Sequence, residues 1–127
     1  MGKVVEKVKF TSAFDPAKSV EVEATIDTGA TLLVLPQDLV EELGLRKIRE
    51  VKVRYANDSV ESKWVYGAVL LELKGRRGIF EALAEKEGTQ PLVGQIVLES
   101  LDMVIEPRTR TLVPNPRSPE MPMVEIL

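Results

Sequence analysis

Between Ser19 and Ile26 the apolar residues Val20, Val22, Ala24 and Ile26 alternate strictly with Ser19, Glu21, Glu23 and Thr25. Upstream, Lys3 to Thr11 sets Val4, Val8 and Phe10 on one side, with Lys3, Glu6 and Lys7 elsewhere. A period of two belongs to a strand with one buried face, and Asp15-Pro16 between the runs is turn chemistry, so a hairpin is predicted. The apolar stretch Leu32 to Leu35 comes next, and then the period lengthens. Leu39, Val40 and Leu43 form a stripe, Pro36 suits a first helical turn and Gly44 a C′ position, which predicts a short helix from about Pro36 to Leu43. Leu35 at its N-cap offers no side-chain acceptor.

Val51, Val53 and Tyr55 alternate with Lys52 and Arg54, Ala56-Asn57-Asp58-Ser59 supplies a polar turn, and Val60 to Tyr66 returns, giving a second hairpin. Ala68 to Leu73 predicts another strand, Lys74 to Gly78 a turn, and Ile79 to Ala84 a strand in the same meander. Gln95 to Leu101 fits a short buried helix, and Met103 to Ile105 and Thr111 to Val113 read as strands around Pro107. The prolines at 114, 116, 119 and 122 forbid a regular element and predict an extended tail. Its end, Met121 to Leu127, is open to two readings, a strand added to a partner or an untethered terminus.

Composition narrows the chemistry. The 127 residues, 44% of them hydrophobic, suffice for one ordinary core. The expected division is a domain over residues 1–113 and a proline-rich tail over 114–127. With no His and no Cys, Ser-His and Cys-His nucleophilic sites, the usual zinc sites and disulfides are all excluded, which leaves carboxylates as the natural acid and base. No metal or cofactor is expected. A net charge of −3 gives no electrostatic case for nucleic acid, and the basic stretch Arg46, Lys47, Arg49, Lys52 and Arg54 reads as a solvated face. The first ten residues lack the form of a signal peptide and no apolar stretch approaches membrane-spanning length, so a cytoplasmic protein without membrane contact is expected.

Against that background Asp27-Thr28-Gly29 stands out, directly behind a β-patterned run and ahead of Ala30-Thr31 and an apolar stretch. Together with the hairpin Val51 to Tyr66 and the Leu92-Val93-Gly94 segment before a helix, it resembles the retropepsin-like aspartic peptidases, in particular their cellular, bacterial and archaeal single-domain members. The likeness runs from about Lys3 to Leu112. It implies an all-β fold, a small closed barrel with one or two short helices. It also implies that Asp27 is the catalytic residue, that Thr28 reaches across a two-fold axis and that Gly29 and Ala30 shape the active-site loop. Leu92, Val93 and Gly94 would support that loop from behind, and the flap residues Ala56, Asn57, Asp58 and Ser59 would cover substrate.

Carboxylate-dyad chemistry needs two aspartates sharing one proton, because like charges about 3 Å apart cannot both ionise. The chain has a single such motif and no internal repeat, so the resemblance implies a homodimer acting on a peptide or protein substrate. Three departures from the viral pattern accompany it. The flap tip has no glycine, Gln95 stands where viral enzymes carry Arg, and the chain continues past the second helix. The glycine-poor flap also fits a second reading, a catalytically weak or inactive peptide-binding and dimerisation module. Trp64 and Tyr66 are open to two readings, pocket lining or strand packing.

Overall fold

In the computed structural model, which describes residues 4–126, the two N-terminal runs become strands β1 (Val4–Ser12) and β2 (Ser19–Ile26). They pair antiparallel from Val4 opposite Ile26 to Thr11 opposite Ser19. Lys3 and Leu127, the outer limits of the expected first strand and tail, lie outside the described residues. The chain continues through β3 (Leu33–Pro36), α1 (Gln37–Glu42), β4 (Arg46–Arg54), β5 (Val60–Leu73), β6 (Arg76–Glu85), β7 (Leu92–Val93), α2 (Gln95–Leu101), β8 (Met103–Glu106) and β9 (Thr111–Pro114). Six strands close on themselves in the order β1, β2, β7, β3, β6, β5, with β5 pairing back onto β1 through Lys9 to Ser12. The fold is therefore an all-β closed barrel with two short helices. β4 lies outside the ring as the outer strand of the β4–β5 hairpin, and β8 and β9 form a separate two-stranded sheet.

Closure follows from the alternation. The inward residues Val8, Phe10, Ala24, Leu33, Leu35, Val69, Leu71 and Ala82 are fully or almost fully buried, and Val40, Leu43, Val97 and Leu101 of the helical segments extend the same core. Each large side chain so buried contributes about 1.5–3 kcal/mol before the entropy of ordering is set against it. No helix among the described residues is long and apolar enough to cross a membrane.

Several local expectations are corrected. The two strands predicted over Val60–Tyr66 and Ala68–Leu73 are one continuous strand, because a register shift between Tyr66 and Val69 lets β5 pass from the hairpin into the barrel wall without stopping. The turn expected over Lys74–Gly78 shrinks to Lys74-Gly75, whose positive φ values of 48° and 81° are those a two-residue hairpin connection requires. Pro36 ends β3 and serves as the N-cap of α1 instead of entering its first turn. β4 begins earlier than Val51, so that the basic residues from Arg46 to Arg54 lie along a largely exposed strand.

Residues 115–126 form no helix or strand, yet the segment is tied down by Asp102, the left-handed C-cap of α2 at φ 53°. The buried Asp102 carboxylate accepts hydrogen bonds from Ser118 Oγ (2.5 Å), Asn115 Nδ2 (3.1 Å), Arg117 and the Met123 amide (3.2 Å). The Ser118 bond is the main reason that its pKa lies well below the usual carboxylate range; burial opposes the shift, and Arg117, Met123 and Asn115 add to it. The buried Arg76 guanidinium donates to the carbonyls of Leu101, Asp102 and Ser118, binding the end of α2 to the tail.

Candidate active site

The turn that carries Asp27 is built almost wholly from main chain. Thr25 and Asp27 donate their amides to the carbonyls of Pro91 and Val93, both at 2.9 Å, which fixes the end of β2 against β7. The Ala30 amide returns to the Asp27 carbonyl at 3.2 Å, and the Gly29 amide donates to Asp27 Oδ1 at 2.8 Å. An aspartate bonding the amide two residues ahead is a standard turn device. The other carboxylate oxygen, Oδ2, accepts no hydrogen bond from the described residues.

Behind the turn, α2 begins. Its first amides, Gln95 and Ile96, have no partner within a helix and instead donate to the carbonyls of Ala30 (2.7 Å) and Thr31 (3.0 Å). The approach is close enough to dictate the residue at 94. A Cβ on Gly94 would stand 2.5 Å from the Leu32 carbonyl oxygen and 2.7 Å from that of Ala30, distances that only a hydrogen at that position avoids. Leu92, Val93 and Gly94 thus lie behind the Asp27 turn, with Val93 and Gly94 buried.

In front of the turn is a cleft of about 700 Å³, within the range of small-molecule and peptide sites. Asp27, Gly29, Ala30 and Leu92 line it together with Leu32, Val34 and Leu83, while Val51 to Ala56 of the β4–β5 hairpin form the facing wall. Of the four expected flap residues, Ala56 reaches this cleft. Asn57, Asp58 and Ser59 do not line it and are engaged in the turn itself: Asn57 Oδ1 accepts from the Ser59 amide (3.0 Å) and hydroxyl (2.6 Å), and Asp58 takes the left-handed conformation at φ 65°.

Thr28 is exposed and faces elsewhere. With Asp27 it lines a second groove, also about 700 Å³, whose walls are mostly apolar: Val4, Ile26, Leu98, Met103, Val104 and Ile105. Asp27 therefore sits where two concave surfaces meet. Trp64 lies on the outer face of the hairpin, 39% exposed and stacked beneath the Lys47 ammonium at 4.5 Å, whereas Tyr66 is buried in the core.

Two cleft residues escaped the sequence reading, Tyr55 and Glu85. Tyr55 Oη donates to Glu85 Oε2 at 2.6 Å, and Lys63 Nζ lies 3.2 Å from Glu85 Oε1. Burial pushes the Glu85 pKa up, but hydrogen bonds from Tyr55 and Lys63 and the Lys63 charge outweigh it, and the net shift is downward. The Tyr55 pKa is raised by burial and by its bond to Glu85, and that of Lys63 by its contact with Glu85 against a smaller effect of burial. The signal for this group was one residue long at each end, the aromatic that closes the β4 alternation and the acid that follows Ala84.

A carboxylate on a rigid turn at a cleft floor can take a proton from a bound water or, when protonated, donate one to a carbonyl oxygen. Comparison with known proteins bears on the fold and the family. Of solved structures, simian foamy virus (mac) protease in solution superposes with a TM-score of 0.54 at 19% identity, covering 74% of this chain and 90% of that one. EIAV protease complexed with the inhibitor HBY-793 gives 0.58 at 16% identity, covering 77% and 86%. At such identities the likeness speaks for the fold, which is that of retropepsin-like proteases. No curated protein sequence matches the chain. The aspartyl protease family model matches residues 17–112, a span that holds the Asp27 turn, the hairpin and the buttress behind Gly94, and the chain belongs to that family.

Proposed function

We propose that the protein is a homodimeric aspartic endopeptidase whose active site combines the Asp27 carboxylates of two subunits. The observation that carries this reading is the position of Asp27, on a main-chain-locked turn at the meeting point of an open cleft and an apolar groove. The groove, with the β8–β9 sheet beside it, is where a second copy would seat, bringing Thr28 to the two-fold axis and a second Asp27 against the first. One carboxylate, ionised, would remove a proton from a water held between the two; the other, protonated, would polarise the scissile carbonyl. An extended peptide would run along the cleft beneath the β4–β5 hairpin. No metal or cofactor enters this chemistry, and a cytoplasmic setting is part of the proposal.

The test is a mixing experiment. Asp27→Asn keeps the shape of the side chain but cannot supply the acid–base pair, so cleavage should fall by about 10²–10⁴-fold with the fold retained. When equal amounts of this variant and the wild type are unfolded and refolded together, random pairing leaves about a quarter of the dimers with both aspartates, and activity per total protein should fall to about a quarter. A linear dependence on the wild-type fraction would overturn the shared site. The hairpin tip, glycine-free and closed by Asn57, favours a second reading, a peptide-binding module with the same fold. A statine inhibitor that suppresses peptide cleavage selects the peptidase, and peptide binding without cleavage selects the module.

A further inference from the structure

The β4–β5 hairpin leaves the barrel beyond Val65 and Tyr66, which still pair with Leu83 and Ala82 of β6. From there to the tip, the polar contacts between hairpin and barrel among the described residues are made by side chains: Tyr55 and Lys63 to Glu85, and Arg49 Nη2 to Glu81 Oε1 at 2.9 Å. These are unequal. The Arg49 and Glu81 side chains are 50% and 40% exposed, a setting in which an ion pair contributes little, whereas Lys63 and Glu85 are 21% and 17% exposed. The Tyr55–Glu85 bond is also a short hydroxyl-to-carboxylate contact, the stronger class of hydrogen bond.

Stiffness is distributed to match. Tyr55 is the residue from which the tip turn closes, its amide donating to the Ser59 carbonyl and its carbonyl accepting from the Asp58 amide, both at 2.9 Å. With Asn57 and Ser59 also bonded, the tip is the stiff end of the hairpin. Its base carries the irregularities, a register shift between Lys47 and Arg49 on β4 and another between Tyr66 and Val69 on β5.

We propose that Glu85 is a positioning residue for substrate: its carboxylate grips Tyr55 and holds the hairpin over the Asp27 cleft, so that the hairpin swings from its base as a stiff arm instead of flexing at its tip. The proposal rests on the reading of that cleft as the peptide site. It accounts for a cover without glycine at its tip, since an arm that pivots at its base needs no flexible end. Glu85 acts through Tyr55 and has no part in the proton transfers.

Three variants test it. Tyr55→Phe removes one hydroxyl, Glu85→Ala removes the whole grip, and Glu85→Gln keeps an acceptor for Tyr55 but drops the charge. Amide hydrogen exchange over residues 51–54 and 60–64 should rise about tenfold in Tyr55→Phe and Glu85→Ala and less in Glu85→Gln, with the Asp27 and Gln95 amides unchanged. The fluorescence of Trp64, the only tryptophan and a hairpin residue, should shift in step. KM for a peptide should rise about tenfold with kcat held within about twofold, and Tyr55→Phe should add nothing in the Glu85→Ala background. Unchanged hairpin exchange in both Tyr55→Phe and Glu85→Ala would overturn the grip, as would a fall in kcat at constant KM. A wild type that cleaves no peptide would defeat the peptidase reading alone, because the exchange data judge the grip without it.

Discussion

The two walls of the Asp27 cleft are made by opposite means. One, the segment from Thr25 to Thr31, is held by backbone hydrogen bonds to Pro91, Val93, Gln95 and Ile96 and by an approach so close that residue 94 has no room for a side chain. The other, the β4–β5 hairpin, meets the barrel near its free end through side chains that converge on Glu85. A wall fixed by main chain is insensitive to most substitutions and to pH, while one fixed by side chains can be released. Chemistry needs the first property and substrate entry the second.

The contrast is broken most severely from behind. Gly94→Ala should cost about 3 kcal/mol of stability, since its methyl meets backbone oxygens that cannot turn aside, and peptide cleavage should vanish with the displaced turn. Denaturant unfolding measures the first effect, and a variant as stable as wild type would show that the wall is softer than its geometry implies.

Acid should separate the two walls. The folded-state pKa of Glu85 lies below its ordinary value, so its grip is fully present above the usual carboxylate range, near pH 4–5, and is lost as pH falls through the folded value. The groups facing it, Tyr55 and Lys63, have raised pKa values and stay protonated throughout the acid range, and the Glu61 carboxylate lies 3.6 Å from Lys63. Amide exchange followed from pH 6 to pH 3, corrected for its intrinsic rate, should therefore show the hairpin opening while the Gln95 and Ile96 amides keep their protection. Parallel loss in both walls would contradict the comparison.

Much of this site was legible in the sequence, for identifiable reasons. The strict alternation from Val20 to Ile26 places Asp27 at a strand end, and Gly94 follows two apolar residues ahead of a helical pattern; both are local signals. The Tyr55–Glu85 grip was not legible, because it joins two residues thirty positions apart in the chain at strand ends, where pattern carries least information. The tail was half legible. Its prolines excluded regular structure, but nothing local revealed that Asp102 would gather Asn115, Arg117, Ser118 and Met123 around one carboxylate.

Smaller changes at the hairpin tip sharpen the comparison. Asn57→Ala removes the acceptor shared by the Ser59 amide and hydroxyl and should speed exchange at the tip by a factor of about five, with global stability altered by less than about 1 kcal/mol. Asp58→Gly should change least of all: glycine relieves the left-handed backbone at φ 65° but gains freedom in the unfolded chain, and thermal melting should shift by the equivalent of about 0.5 kcal/mol or less. A large loss of cleavage from either would place the moving part of the hairpin at its tip and not at its base.

The parallel pairing of β2 with β7 has a consequence for the order in which the molecule comes into being. Thr25 and Ile26 wait for Leu92 and Val93, and the carbonyls of Ala30 and Thr31 wait for Gln95 and Ile96. During synthesis Asp27 emerges early, as an ordinary aspartate on an unbraced segment, and stays so until the ribosome has delivered the start of α2. Such non-local closure is slow compared with hairpin formation. For the peptidase proposed here, that delay is a safeguard written into topology, since no nascent chain can cut its neighbours before Gln95 and Ile96 have been added.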